Sequence, residues 1–179
     1  GSLEDILNSK TVISNTELIT EPEKRAYLFK LIDRFNEVAD REQYIDAMNV
    51  TMKELLYYFN VDSVQYCPAN SSDMYFESSN RELNHPRMLM ILFETYFSKL
   101  SELGYLSIGN RNNQKHTLPE LAEYMENTDM GSVLIIPNMA DDNKVEGIFV
   151  FATYSRYLVW SAFDTDLLRI ICGLMEKFL

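Results

Sequence analysis

Few side chains in this chain of 179 residues are of types that support catalysis or metal binding. The histidines are His85 and His116, and the cysteines are Cys67 and Cys172. A zinc site needs three or four Cys, His or acidic ligands, in structural sites at short spacing, which these scattered residues do not supply. The motifs G-x-S-x-G, Walker A and G-x-G-x-x-G are absent. We therefore expect no catalytic residue, no metal site and no cofactor.

The two histidines differ in their local sequence. His85 directly precedes Pro86, where a helix is predicted to begin, so we interpret His85 as a residue of the helix start rather than as a general base. His116 lies in a polar segment between Lys115 and Thr117. Two interpretations of His116 stay open, a solvated loop residue or a residue that faces a binding cavity.

The cysteines fit an intracellular domain without reactive thiols. Cys67 ends a predicted strand and Cys172 lies in an apolar helical pattern, as is typical of buried, inert thiols. Two cysteines do not build the disulfide framework of a secreted domain, so we predict a reducing compartment and a cytoplasmic location.

Composition excludes several classes of partner. Sixteen basic and 27 acidic residues give a net charge of −11, and no Lys or Arg cluster is present, which argues against nucleic-acid binding and against anionic membrane surfaces. No apolar run approaches the length of about 20 residues that spans a bilayer. A hydrophobic share of 46% is ample for one globular core.

Sequence periodicity predicts one α+β domain over residues 22–179, after a tag remnant and leader over residues 1–21. The expected order is helix, helix, strand, strand, helix, strand, short helix, strand, strand, helix. We expect a central antiparallel sheet of about five strands, with the terminal helices on one face and short helices and loops on the other. The last helical pattern reaches Leu179 without a capping glycine, so we expect this helix to continue in a longer protein.

Two strand motifs and one helix motif resemble the GAF family of sensory domains. Residues 131–137 (GSVLIIP) and 146–151 (EGIFVF), separated by a polar turn, are similar to paired GAF strands. Residues 163–168 (FDTDLL) are similar to the start of the last GAF helix. The resemblance covers roughly residues 22–179. It implies a ligand pocket between one sheet face and the middle helices, and outer helices that pair two copies and signal to an output domain.

The resemblance also defines a candidate pocket. Alternation places Phe149, Phe151 and Thr153 on one sheet face, and we assign that face to the pocket because the opposite, small aliphatic face suits close helix packing. The remaining candidates come from loops and neighbouring elements; they are Tyr75, Phe76, Tyr105, Ser107, Arg111, His116 and Tyr124. Arg111 is the expected partner of a ligand carboxylate or phosphate, or an exposed loop residue. The aromatic residues alternatively fill the space as core.

Helical stripes at both ends of the chain predict a homodimer seam. Each stripe has spacings of four, three and four residues. The seam candidates are Leu28, Ile32 and Phe35 at one end and Leu167, Ile171, Leu174 and Phe178 at the other.

Known GAF chemistries have little support in these residues. Sulfoxide-reducing and bilin-attaching GAF domains use pocket cysteines, and none lies between residues 68 and 171. Haem binding would need a pocket histidine, for which only His116 is available. Asn143-Lys144 matches part of a cyclic-nucleotide signature, but the spacing after Phe163 differs.

The resemblance therefore implies a non-catalytic sensory domain of a bacterial signalling protein, with an unidentified small-molecule ligand. Its output domain would be a GGDEF diguanylate cyclase. The alternatives are a structural relay module with a collapsed pocket and, third, a thiol-based reductase.

Overall fold

The computed structural model describes residues 19–100 and 104–179, so most of the predicted leader lies outside the described residues. The elements occur in the predicted order. They are α1 (Glu21–Asn36), α2 (Arg41–Tyr58), β1 (Ser63–Pro68), β2 (Phe76–Ser79), α3 (Arg87–Leu100), β3 (Leu106–Ile108), α4 (Pro119–Asn127), β4 (Met130–Met139), β5 (Val145–Tyr154) and α5 (Ala162–Met175), with short 3-10 turns at Arg111–Gln114 and Glu176–Phe178.

The five strands form one antiparallel sheet in the order β2-β1-β5-β4-β3. This confirms the predicted α+β architecture. Strand β2 begins at Phe76, after a turn in which the Asp73 N–H donates to the carbonyl of Asn70 at 3.0 Å. Within the described residues, no helix combines the length and apolar character needed to cross a membrane.

Polar side chains cap the first two helices of the chain, α1 and α2. Thr20 accepts from the N–H of Glu23, whose carboxylate accepts from the Thr20 N–H in a capping box. Asp40 accepts from the Gln43 N–H at 2.8 Å, although the Gln43 side chain reaches Ala39 rather than the cap itself. Asp40 therefore caps the start of α2 without the reciprocal hydrogen bond of a full capping box.

The sheet separates two hydrophobic clusters. Helices α1, α2 and α5 cover one face, which we call the terminal-helix face, and α3 and α4 cover the other, the middle-helix face. The buried apolar sheet residues on the terminal-helix face include Val64, Tyr66, Leu134, Ile136, Phe149 and Phe151. Those on the middle-helix face include Cys67, Val133, Ile135, Ile148, Val150 and Ala152.

The assignment of Phe149 and Phe151 to the pocket side is wrong. Both rings are fully buried under the terminal helices, where Phe149 packs against Tyr66 with ring centroids 4.8 Å apart. Large rings fill the layer between the sheet and three long helices, whereas the small aliphatic side chains let α3 and α4 approach closely.

The predicted dimer seam is wrong at three of its seven positions. Phe35, Leu167 and Ile171 are buried in the core of the chain itself and have no surface to offer a partner. The buried stripe of α1 consists of Tyr27, Leu31 and Phe35, at spacings of four residues. The other seam candidates keep partial exposure; they are Leu28, Ile32, Leu174 and Phe178.

The glycines of the two strand motifs are required by close backbone packing. A Cβ on Gly131 would lie 1.8 Å from the carbonyl oxygen of Arg156, and one on Gly147 would lie 2.3 Å from the Tyr66 hydroxyl. Both distances are far below van der Waals contact. These motif positions therefore have a packing function that does not depend on any ligand.

Candidate functional site

A cleft of about 570 Å³ opens at the edge of the middle-helix face. Strand β1 contributes Gln65, and the end of β5 contributes Tyr154. The remaining walls come from the end of α4 and from the loop between β2 and α3. The full lining is Gln65, Arg81, Glu82, Leu83, Asn84, Tyr124, Thr128 and Tyr154. Most of these side chains are polar, so the cleft suits a ligand that forms hydrogen bonds.

One wall is fixed by hydrogen bonds around Gln65. The Gln65 amide nitrogen donates to the Tyr75 hydroxyl and to the Glu77 carboxylate, both at 2.9 Å, and Tyr75 donates to Glu77 at 2.7 Å. The Tyr75 ring stacks on His85 with centroids 4.8 Å apart. Burial raises the pKa of Tyr75, and its hydrogen bond to Glu77 raises it further. These hydrogen bonds therefore hold the side chains of this wall in place before any ligand binds.

The mouth of the cleft carries arginine and aspartate. The Arg81 guanidinium carbon lies 4.5 Å from the centroid of the Tyr154 ring, and Arg81 Nη1 lies 3.9 Å from Asp129 Oδ2. Asp129 also pairs with Arg111 at 3.6 Å and accepts a hydrogen bond from the Ser155 hydroxyl. That hydrogen bond, with the two arginines, lowers the pKa of the Asp129 carboxyl.

Two tyrosine hydroxyl groups face this region. Burial raises the pKa of Tyr124 to about 12, and it raises the pKa of Tyr154 as well. Both are therefore neutral donors at physiological pH. Ser63 Oγ lies on the same strand face as Gln65 and is buried, and no hydrogen bond of regular geometry reaches it among the described residues. It lies close enough to the Tyr154 hydroxyl to lower the pKa of Tyr154, although burial has the larger, opposite effect.

Only one of the ten predicted pocket residues, Tyr124, lines the cleft. Tyr75 and Arg111 belong to its surroundings, through Gln65 and Asp129 respectively. Arg111 donates to the carbonyl of Met130 as well, at 3.3 Å. It is therefore half-buried and partnered, rather than free to bind an anion.

Five predicted pocket residues lie on the terminal-helix face instead, and their assignment to the pocket side is corrected here. They are Phe76, Tyr105, Phe149, Phe151 and Thr153. Tyr105 lies beneath the Arg169 guanidinium of α5, 5.2 Å from ring centroid to guanidinium carbon. Thr153 donates to the Arg156 carbonyl at 2.9 Å and contacts Ser132 Oγ. Large rings and strand-closing hydrogen bonds thus occupy positions that the sequence analysis gave to a ligand.

The last two predicted residues are exposed and do not line the cleft. Ser107 points to solvent from the edge strand β3, and His116 lies in the exposed segment between the first 3-10 turn and α4. Of the two interpretations of His116, the solvated loop residue agrees with the structure.

Gln65 and Arg81, two polar groups of the cleft, were not predicted from the sequence. Gln65 had a usable signal, because it is a large polar residue in the middle of a strand that is otherwise buried on both faces. Arg81 had no such signal, because it lies in the polar loop between β2 and α3, and the path of that loop depends on the whole fold.

The cysteines are poorly suited to thiol chemistry. Cys67 is buried on the middle-helix face and Cys172 on the terminal-helix face, on opposite sides of the sheet. Burial raises the pKa of both thiols, which disfavours the reactive thiolate. In residues 19–100 and 104–179, no three His, Cys, Asp or Glu side chains are grouped to hold a metal ion.

No protein-family model matches this chain, and no curated protein matches it by sequence. Solved structures do match its fold. The phycocyanobilin-bound GAF domain of a cyanobacterial phytochrome aligns with a TM-score of 0.64 and 15% identity, over 86% of this chain and 92% of that one.

Two further structures come from other classes of protein. The free methionine-R-sulfoxide reductase of Neisseria meningitidis aligns with a TM-score of 0.63 and 12% identity, covering 88% of each chain. The GAF domain of an Acinetobacter phosphoenolpyruvate-protein phosphotransferase aligns with a TM-score of 0.56 and 13% identity, over 83% of this chain and 87% of that one. Identities this low establish the fold alone: the chain adopts the GAF fold.

Proposed function

We propose that this chain is a non-catalytic sensory domain that binds a small molecule in the cleft between Gln65, Arg81, Tyr124 and Tyr154. The observation that carries the proposal is a polar cleft of about 570 Å³, within the usual size range of small-molecule sites. Structures of the same fold hold small molecules, among them phycocyanobilin and the substrate of the sulfoxide reductase. The proposed ligand binds without a covalent bond to cysteine, because both cysteines are buried and neither lines the cleft.

A second candidate function is a structural relay module without a ligand. The filled core of the middle-helix face favours it, because Phe93, Leu121 and Val150 are fully buried where a central cavity would lie. The cleft is then only a surface depression beside that core. The two functions differ in one measurable property, the response of stability to small molecules.

We further propose a homodimer and an attached output domain in the cytoplasm of a bacterial cell. Two large apolar side chains on the terminal helices support a dimer surface: Phe29 on α1 is 66% exposed and Ile170 on α5 is 53% exposed. Helices α1 and α5 pack together, joined by the ion pair between Lys24 and Asp164 at 2.8 Å. Such a surface would allow a ligand signal to reach an output domain, for which a GGDEF diguanylate cyclase is our candidate.

Thermal unfolding in the presence of a metabolite library tests ligand binding. We expect at least one compound to raise the melting temperature of the wild type, since a ligand selective for the native state adds RT ln(1 + [L]/Kd) to stability. The variant N84W, which fills the cleft from an exposed position, should lose that response, and N113W, at an exposed position outside the lining, should keep it. Failure of every compound, at saturating concentrations, would reject sensing in favour of the relay module.

Sedimentation velocity tests the dimer. We expect a dimer for the wild type and a monomer for the double variant F29E/I170E. M88E, at a comparably exposed apolar residue on α3, should remain a dimer. A monomeric wild type at high concentration would reject dimerisation without bearing on ligand binding.

A further inference from the structure

Arg81 has unused hydrogen-bonding capacity in the cleft. In the part of the chain that the structure describes, its guanidinium makes no hydrogen bond, only a 3.9 Å ion pair with Asp129 and the contact over the Tyr154 ring. Its backbone is nevertheless fixed, since the Arg81 N–H donates to Ser79 Oγ at 3.0 Å. A guanidinium has five donors in a fork that matches a carboxylate. The backbone of Arg81 is thus held in place, while its guanidinium has donors available for a ligand.

The neighbouring groups are donors too. The Tyr124 hydroxyl lines the same cleft and has no hydrogen-bond acceptor among the described residues. Its raised pKa keeps the proton on the oxygen, and therefore keeps Tyr124 a donor, over the physiological range. A guanidinium that makes only a 3.9 Å ion pair and a phenol without an acceptor in the described part of the chain line the same cleft, which favours a ligand that supplies negatively charged oxygen atoms.

Acidic residues around the mouth limit how much negative charge the ligand carries. Glu82 lines the cleft, Glu77 lies behind Gln65, and Asp129 lies beside Arg81. The other nearby arginine, Arg111, is already paired with Asp129 and bonded to the Met130 carbonyl. One available cation against these carboxylates suits a single negative charge and repels a polyphosphate.

We propose that the ligand of this cleft is a small organic acid with one carboxylate, which Arg81 binds through two parallel hydrogen bonds while Tyr124 donates a third. The inference rests on the proposed function, because it names the ligand class of the same cleft. The body of the ligand lies against Tyr154, whose ring the Arg81 guanidinium contacts. Asp129 is the internal competitor, which Arg81 leaves when the carboxylate arrives.

Matched pairs of acids and amides test the charge requirement. Backbone amide NMR shifts of the uniformly ¹⁵N-labelled protein would be followed during titrations with benzoate and benzamide, and then with further acid–amide pairs of similar shape. We expect carboxylates to shift the amides of Gln65, Arg81 and Tyr154, and the matched amides to bind at least about tenfold more weakly, as expected for the loss of a charged hydrogen-bonded pair. Phenyl phosphate and ATP should bind more weakly than benzoate.

Two variants assign the preference to Arg81. R81Q should bind acids and amides equally, and R41Q, at an exposed position on α2, should keep the wild-type preference. Neutral compounds that bind the cleft as well as the acids do, or a phosphate ester that binds more tightly, would overturn the carboxylate inference and leave the sensory function intact. If nothing in either series shifts the cleft amides, while R81Q and the wild type remain folded, the carboxylate inference fails, and the thermal screen with the metabolite library decides separately whether the sensory function stands.

Discussion

Arg156 holds Asp62 through two parallel hydrogen bonds, 3.2 Å from Nε to Oδ2 and 3.1 Å from Nη2 to Oδ1. Arg156 Nη2 also donates to the Asn60 carbonyl at 2.7 Å, and Asp62 Oδ2 accepts from the Tyr154 N–H at 2.8 Å. The pair therefore joins the turn before β1 to the end of β5. It also fixes the backbone of Tyr154, one wall of the cleft.

Removing the guanidinium should destabilise the fold. R156Q leaves a half-buried carboxylate with fewer donors, so we expect the free energy of unfolding to fall by about 1–2 kcal/mol. Urea denaturation measures this change. R41Q is the control, because Arg41 is exposed on α2 and has no ion pair or ring contact among the described residues, so its loss should cost less than about 0.5 kcal/mol. Equal losses in the two variants would contradict a special role for Arg156.

Two glycines with opposite surroundings provide a test of the strand motif. A Cβ on Gly131 would lie 1.8 Å from a backbone carbonyl oxygen, which cannot move without shifting the chain after β5, whereas a Cβ on Gly173 would meet nothing within 4 Å. We expect G131A to destabilise the protein by more than about 2 kcal/mol. G173A, inside helix α5, should stabilise it by about 0.5–1 kcal/mol. Thermal and urea unfolding would measure both, and a tolerated G131A would refute the packing argument.

The hydroxyl of Tyr44 joins helix α2 to the end of α5. It donates to the carbonyl of Met175 in a buried setting, and its ring contacts Phe178 with centroids 5.1 Å apart. We expect Y44F to lower the free energy of unfolding by about 1–2 kcal/mol, because the carbonyl loses its donor in the core. Hydrogen exchange should show faster opening near residues 175–179. Y57F, at an exposed tyrosine of the same helix, should change neither measurement.

Glu176 should make stability depend on pH. Burial, with a smaller contribution from the nearby Glu146, raises the pKa of this carboxyl to about 7. In the unfolded chain the carboxyl titrates near its usual value of about 4.3, so between these values the native state holds a proton that the unfolded state has lost. Stability from this residue is therefore complete below about pH 4.3 and falls as the pH rises towards 7.

The variant E176Q isolates that effect. It should reduce the loss of stability between pH 4.5 and 7 by about 1–2 kcal/mol relative to the wild type, as measured by urea denaturation at several pH values. E123Q, at an exposed site on α4, should leave the profile unchanged. A wild-type profile that coincides with that of E176Q would show that Glu176 does not titrate in this range.

The order of the elements could be predicted because its signals are local. Asp40 and Ser161 accept hydrogen bonds from N–H groups three residues later in the chain, and short polar segments predict the turns between strands. The glycine motif was recognised as well, although its cause, the contact of Gly131 with Arg156, joins residues 25 positions apart. Pattern recognition found the motif, and only the structure supplied the reason.

The cleft was mostly missed because its walls are assembled by folding. Alternation separates Phe149 from Val150 correctly, but both faces of β5 are apolar, so the sequence does not say which helices cover which face. That choice depends on the space left by three long helices, a property of the whole packing arrangement.

The elements, their order and the unreactive thiols can be read from the sequence alone, since each follows from neighbouring residues or from residue type. The contact of Arg81 with Tyr154, 73 positions later in the chain, follows from the fold instead, because it depends on where the loop after β2 passes the end of β5.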